Sequence, residues 1–119
     1  MMDDTTTRKY PPALSSKMPL RKKQSYFAWL VARLIITAYA RGYEITLGDA
    51  YRDPRCPYGS ERSLHQVRLA IDLNLFKDGR WLTDGTGHDE LHDLWDSWGG
   101  APRIEHDLNH YSLEHEGRR

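Results

Sequence analysis

The sequence predicts an α+β fold in which a small antiparallel sheet packs against an N-terminal helix and a second helix. Three observations predict it: a long amphipathic helical pattern comes first, segments of alternating hydrophobicity follow, and a second helical pattern precedes a last short strand. The chain has 119 residues, the usual size of one domain. We therefore expect a single domain with the element order helix, strand, strand, strand, helix, strand.

The first helix is indicated by apolar residues that recur at i, i+3, i+4, i+7, i+8 and i+11, the spacing of one helix face. These residues are Phe27, Leu30, Val31, Leu34, Ile35 and Ala38. The pattern starts at Ser25 and ends near Gly42, a typical terminator. Threonines and prolines punctuate residues 1–20, so we expect a loosely ordered lead-in before a domain spanning residues 21–119.

Beyond this helix the hydrophobic period drops to two, which is typical of half-buried strands. One such segment starts at Tyr43, includes Leu47 and reaches toward Tyr51, and a second covers Leu69–Phe76. The four leucine and isoleucine residues of the second segment share one face, which predicts a core strand. Residues 53–62 between the two segments are rich in turn formers and are expected to form a loop.

The remaining elements follow the second strand closely. Asp78-Gly79 is a hairpin-turn sequence leading into a short strand at Trp81-Leu82. A second helix is expected from Thr86 as the N-cap to Trp98, with Trp95 and Trp98 at core spacing and glycines as the stop. The tail IEHDLNHYSLEH is expected to carry the last short strand.

Composition excludes several classes of function. The 17 Lys and Arg residues balance 17 Asp and Glu residues, so no summed positive potential attracts nucleic acid. The longest apolar stretch, Phe27–Ala40, is broken by Arg33 and is shorter than the roughly 20 residues of a membrane span. The N-terminus opens with acids rather than a basic and then apolar segment, so we expect no secretory signal and synthesis in the cytosol. Cys56 lacks an evident activating base and is expected to be a plain loop residue.

Asp72 is the first residue that points to chemistry, because it interrupts an apolar run in the middle of a predicted strand. A buried carboxylate without a partner costs several kcal/mol, so a cation, hydrogen-bond donors or a metal must accompany it. His65 precedes it, and seven residues of continuous strand would separate the two by about 23 Å. Ligands of one zinc ion lie about 3 to 4 Å apart, so a shared metal requires a sharp bend between Gln66 and Leu69.

These residues belong to a longer pattern, S-x-H-x(4)-A-x-D, formed by Ser63, His65, Ala70 and Asp72. The pattern resembles the zinc-site signature of the family that contains D-alanyl-D-alanine carboxypeptidases, dipeptidases and phage L-alanyl-D-glutamate endolysins. Three further segments extend the resemblance over roughly residues 43–114. They are Tyr51-Arg52 before the motif, the acid-x-x-His segment from Asp107 to His110, and the closing run NHYSLEH. This closing run is similar to the asparagine-histidine-aromatic ending of small phage members.

The resemblance implies a fold like that of hedgehog and D-Ala-D-Ala peptidases, with Zn²⁺ bound by His65, Asp72 and His110. It further implies that Asp107 is the catalytic base and that Arg52 stabilises the tetrahedral intermediate or holds a substrate carboxylate. Ser63 is expected to hold the bend or a ligand through hydrogen bonds. Two histidines and one aspartate would leave a fourth tetrahedral position open, as catalytic zinc requires.

The implied function is zinc-dependent hydrolysis of an amide bond in the bacterial cell-wall stem peptide. Small phage members suggest the L-alanyl-D-glutamate bond and a role in lysis, in which a monomer made in the host cytoplasm reaches peptidoglycan after another protein disrupts the membrane. A D-Ala-D-Ala carboxypeptidase or dipeptidase is one alternative. The other is a zinc-containing cell-wall binding module without hydrolysis.

Several residues depart from this pattern or compete with it. The family often has Gly where this chain has Arg68, at the expected bend. Glu105 is a rival base to Asp107. The HDELH segment has His88 and His92 four residues apart, as in H-E-x-x-H metal sites. Because Leu91, Leu94 and Trp95 already define a buried helix face, both histidines are expected to face solvent, as are His106 and His115.

Overall fold

In the part of the chain that the structure describes, two α-helices and a four-stranded antiparallel sheet form the α+β fold that the sequence predicts. The computed structural model describes residues 15, 17–55 and 63–119. The helices are α1 (Leu20–Ala40) and α2 (His88–Ser97), and the strands are β1 (Glu44–Leu47), β2 (Ala70–Lys77), β3 (Arg80–Trp81) and β4 (His110–Ser112). A short 3-10 helix, Leu64–Val67, precedes β2. Most of the predicted lead-in, and Cys56 with most of its loop, lies outside the described residues.

Helix α1 begins at Leu20, five residues before the predicted start at Ser25. Pro19 occupies the N-cap position, and the charged and long side chains that follow favour helix without adding to the apolar stripe. The prediction missed this first part because it relied on apolar periodicity alone. The buried residues of α1 are Phe27, Leu30, Val31, Leu34 and Ala38, and Ile35 is half-buried. The helix ends before Gly42, whose φ of 91° suits a residue without a side chain.

Strand β2 is the centre of the sheet. Strand β1 pairs with it along one edge, and β3 returns beside its end through the predicted turn at residues 78–79. The predicted bounds of β2 and β3 are each off by one residue. Strand β4 pairs with the first half of β2, where Asp72 lies directly opposite His110. The predicted core face is confirmed, since Leu69, Ile71, Leu73 and Leu75 are all buried.

Helix α2 packs with α1 on the core formed by β2 and β4. The prediction of Thr86 as its N-cap is wrong, because Gly87 holds that position with φ of 82°. A Cβ atom at Gly87 would lie 2.7 Å from Leu75 Cδ2, so a side chain there would push the helix start away from β2. Trp95 is buried and Trp98, at the C-cap, is half-buried against the core. Within the described part of the chain, neither helix has the length and hydropathy needed to cross a membrane.

Candidate metal centre

Three side chains that can bind a metal converge at the start of β2, as the sequence predicted. The ligand atoms of His65, Asp72 and His110 all lie within 4.8 Å of one another. His65 Nε2 is 3.2 Å from Asp72 Oδ1, and His110 Nδ1 is 3.7 Å from the same oxygen. Ligands of a tetrahedral ion with bonds of about 2 Å have separations of this size. The group can therefore hold a metal ion.

The bend that brings His65 to Asp72 is built by the 3-10 helix and Arg68. Ser63 caps the helix, and its Oγ accepts a hydrogen bond from the His65 backbone N–H at 3.2 Å. Arg68 then adopts left-handed angles, φ 57° and ψ 37°, and turns the chain into β2. A non-glycine residue pays about 1 kcal/mol for this conformation. The Arg68 guanidinium lies 4.0 Å from the centre of the Tyr51 ring, a favourable cation–π contact.

Asp72 and His110 meet because they are cross-strand partners in the β2–β4 ladder. Side chains of directly opposed residues project on the same face of a sheet. On the side of β2 away from β4, the segment after β1 binds the backbone of Asp72. The Gly48 N–H donates to Asp72 O at 2.8 Å, and the Asp72 N–H donates to Asp49 O at 2.9 Å. A Cβ atom at Gly48 would lie 2.9 Å from Asp72 Cβ, so this close approach requires glycine.

The polar atoms of the site fit a bound cation. Burial alone would raise the pKa of the Asp72 carboxyl. The His110 and His65 rings beside it together have a larger, opposite effect and lower the pKa to about 2. Asp72 Oδ1, His65 Nδ1 and both ring nitrogens of His110 are buried without a hydrogen bond of normal geometry to any described residue. Buried polar atoms without partners are rare. A metal would supply the missing partner to the carboxylate and to His110.

The predicted base, Asp107, lies at the edge of this group. Its Oδ2 is 3.8 Å from His110 Nδ1, its side chain is 51% exposed, and the His110 N–H donates to Asp107 O at 3.0 Å. Asp107 also lines a cleft of about 390 Å³ between β2, β3 and α2. The cleft residues are Asn74, Trp81, Leu82, Thr83, His88, Glu105, His106, Asp107, Leu108 and Asn109. The rival base, Glu105, therefore shares the cleft with Asp107.

Arg52 contacts the bend through both its side chain and its backbone. Its side chain is 11% exposed, and its Nη2 pairs with Asp49 Oδ2 at 3.4 Å. Its Nη1 donates to Ser63 Oγ at 3.3 Å, and its backbone N–H donates to His65 O at 3.1 Å. Ser63 Oγ thus accepts hydrogen bonds from both the Arg52 side chain and the His65 backbone, and its role in holding the bend stays a prediction. The contact with Asp49 was not predicted.

The expectation that His88 and His92 face solvent is wrong, since their exposed fractions are 3% and 0%. His88 Nδ1 lies 2.8 Å from the Tyr111 hydroxyl, and His92 Nε2 lies 2.7 Å from Leu108 O. The missed signal is their own spacing, because His88, Leu91, His92 and Trp95 follow the i, i+3, i+4, i+7 pattern of a buried stripe. Neither ring joins the metal-binding group.

The other two histidines, His106 and His115, differ in their exposure to solvent. His106 is exposed, as predicted, and it lines the cleft beside Asp107. His115 is less exposed than predicted, with 18% of its side chain accessible. It lies next to Lys23 of α1, whose Nζ is 3.3 Å from His115 Nδ1. Burial and the Lys23 charge lower the pKa of His115.

In comparisons with models of known protein families and with curated proteins, nothing matches this chain. The site itself consists of two buried histidines, one carboxylate between them, and a half-exposed carboxylate beside the second histidine.

Proposed function

We propose that the protein is a zinc-dependent peptidase that hydrolyses an amide bond of the peptidoglycan stem peptide, most specifically the L-alanyl-D-glutamate bond. The observation that carries this proposal is the convergence of His65, Asp72 and His110 with Asp107 beside the open cleft. Catalytic zinc sites use three protein ligands of this kind and keep one position open. The choice of substrate and a role in phage lysis depend on the resemblance of residues 63–72 and 107–110 to the peptidase family.

Within this proposal the residues divide the chemistry. Zinc bound to His65, Asp72 and His110 would supply Lewis-acid polarisation of the scissile carbonyl and lower the pKa of a water. The Asp107 carboxylate accepts a proton from the attacking water and delivers it to the departing amine nitrogen. Its half-exposed position at the cleft supports this role, because the carboxylate can contact both the site and a substrate entering from solvent.

Arg52 is proposed to bind negative charge. Its guanidinium is always cationic and has donors in a fixed planar arrangement. The contacts with Asp49 and Ser63 orient it at the bend that carries His65. From there it stabilises the oxyanion of the tetrahedral intermediate or holds a substrate carboxylate.

The direct test is mass spectrometry of peptidoglycan fragments after incubation with zinc-loaded protein. A new N-terminal D-glutamate identifies cleavage of the L-alanyl-D-glutamate bond, as proposed. Released D-alanine would instead identify the carboxypeptidase alternative. Binding of cell-wall fragments without any cleavage would contradict the peptidase and favour the binding module.

A pair of variants tests the base within the same assay. Asp107→Ala should retain zinc and fold but lose about a hundredfold or more in hydrolysis, the usual scale of acid–base catalysis. Glu105→Ala is the matched control, because it removes an exposed carboxylate from the same cleft, and its effect should be smaller. An active Asp107→Ala beside an inactive Glu105→Ala would move the base to Glu105.

A further inference from the structure

Helix α2 contacts the segment that carries Asp107 and His110 through two buried histidines. His92 Nε2 lies 2.7 Å from the backbone oxygen of Leu108, and His88 Nδ1 lies 2.8 Å from the hydroxyl of Tyr111. Leu108 and Tyr111 stand on either side of His110 in the chain. The two histidines therefore hold the chain just before and just after this candidate ligand.

The contact made by His92 is specific in its chemistry. A backbone oxygen only accepts hydrogen bonds, so His92 Nε2 must carry the hydrogen. Burial lowers the pKa of His92, which favours the neutral ring. The single N–H of the neutral ring then lies on Nε2 and donates to Leu108 O. The ring also stacks on Tyr111, with centroids 4.1 Å apart and an interplanar angle of 9°. Any swing of the ring would break both the hydrogen bond and the stacking.

Strand β2 holds the same segment from the opposite side. The Leu73 N–H donates to Asn109 O at 2.8 Å, and Asp72 pairs with His110 in the ladder. Strand β2 therefore fixes the register of His110. The turn from Ile104 to Asp107 comes before β4 in the chain and is not part of the β2–β4 ladder. On the α2 side, the Leu108 oxygen next to that turn is held by His92.

We propose that His88 and His92 are positioning residues for the metal centre, which hold residues 107–111 so that the His110 ring and the Asp107 carboxylate converge. Apolar side chains of similar size would fill the same space and stack on Tyr111, but they could not donate to Leu108 O. The hydrogen bond, rather than the packing, is thus the property to test. Only the turnover readout below depends on the proposed function.

The experiment compares His92→Phe with His92→Gln. Phenylalanine keeps the ring and removes the donor, whereas the glutamine amide can place a donor near the position of Nε2. Zinc affinity, measured by chelator competition, should fall about 10-fold or more in His92→Phe, the scale seen when residues that orient metal ligands are removed. The kcat for peptidoglycan should fall by about 10-fold to 100-fold with KM little changed, because ligand and base are misplaced. His92→Gln should recover most of both losses.

Loss of stability alone must be separated from loss of positioning. Leu30→Ala is the matched control, because Leu30 is fully buried in α1 and does not belong to the candidate ligand group. Zinc affinity and kcat are measured well below each variant's unfolding temperature, and Leu30→Ala should retain both. If His92→Phe does not fold, His92→Asn replaces it, since the shorter amide does not reach Leu108 O.

A second variant tests the other histidine. Tyr111→Phe removes the hydroxyl that pairs with His88 and keeps the ring that stacks on His92, so a smaller fall in zinc affinity is expected. Wild-type zinc affinity in both His92→Phe and Tyr111→Phe would overturn the proposal, as would a folded His92→Gln that restores nothing. If zinc-loaded wild type cleaves no peptidoglycan, the proposed function fails, and the affinity measurements alone decide whether the two histidines position the site.

Discussion

Arg68 has a left-handed backbone conformation that non-glycine residues rarely adopt, and the geometry of the candidate site depends on it. Its left-handed φ of 57° ends the 3-10 helix that carries His65 and directs the chain into β2. An extended residue there would carry Asp72 away from His65, since a strand advances about 3.3 Å per residue. The sequence predicted a bend between Gln66 and Leu69. It left open whether the bend would avoid the left-handed angles at Arg68 or would adopt them with strain, and the structure has the second arrangement.

Substitutions at Arg68 should reveal the strain. We expect Arg68→Gly to be more stable than Arg68→Ala by about 1 kcal/mol, because both lose the contact with Tyr51 and only alanine keeps the strained angle. Ile36 is the control, since it is 71% exposed in the middle of α1, where alanine should be more stable than glycine by about 1 kcal/mol. Urea unfolding measures both pairs. The same order at the two positions would show that Arg68 is not strained.

Gly48 tests the close contact behind Asp72. In Gly48→Ala the new Cβ would lie 2.9 Å from Asp72 Cβ and 3.1 Å from Asp72 O, and neither atom is the end of a flexible chain. We expect a loss of about 1 to 3 kcal/mol in stability from overpacking and weaker zinc binding. Gly85→Ala is the control, because its nearest neighbour is the exposed end of the Asp89 side chain, which lies outside the candidate site. Zinc binding unchanged in Gly48→Ala would separate this contact from the site.

At the scale of elements, α2 differs most from what apolar patterning suggests, because histidines occupy two positions of its buried stripe. Burial, and to a smaller extent the nearby His92, lowers the pKa of His88 from 6.5 to about 4. Between these two values the unfolded chain binds a proton at His88 and the folded chain does not. Stability therefore falls as the pH is lowered through this window, and the contribution of His88 is complete above it.

The prediction is a pH-dependent stability that His88→Asn reduces. In metal-free protein, the free energy of unfolding should fall by about 2 kcal/mol more between pH 7 and pH 5 in wild type than in His88→Asn. Asparagine removes the titrating group and can still form a hydrogen bond with Tyr111. Chemical denaturation at the two pH values measures the difference. Parallel losses in the two proteins would show that His88 titrates normally in the fold.

The elements could be predicted wherever hydrophobic periodicity was strong. The stripe of α1 and the alternating β2 each have many apolar positions, and both were predicted with errors only at their ends. The ends of elements were predicted less well, because apolar periodicity does not define them. Helix α1 starts directly after Pro19, in a stretch without that periodicity, and Gly87, which packs closely against Leu75, rather than Thr86 is the N-cap of α2. The burial of His88 and His92 was predicted wrongly because their helical spacing was overlooked. Their partners, Tyr111 and the Leu108 oxygen, lie on β4 and the preceding loop, and this spacing does not identify them.

At the scale of the whole molecule, the candidate metal centre joins residues from three separate parts of the chain. The sequence predicted its members because their order resembles a known motif. It could not predict the contacts around them that depend on distant segments meeting. The contact of His92 with the Leu108 oxygen, 16 residues along the chain, is an example.

Zinc binding should therefore stabilise the whole fold. A ligand that binds only the folded chain raises the free energy of unfolding by about 2.7 kcal/mol at 100 times its Kd. We expect zinc to raise the unfolding temperature of chelator-treated wild type and to leave Asp72→Ala unchanged. His106→Ala is the control and should respond like wild type, because His106 is exposed and outside the ligand group. An equal zinc response in Asp72→Ala would remove Asp72 from the site.

Because Asp72 pairs with His110, a metal bound at the candidate site would also report the register of the two strands. Side chains alternate along a strand, so a slip of one residue between β2 and β4 would turn His110 to the opposite face. A misaligned chain could keep its secondary structure and most of its compactness, yet it would lose the ion. In a refolding experiment, the appearance of metal binding would thus time the alignment of these two strands, separately from the collapse of the core.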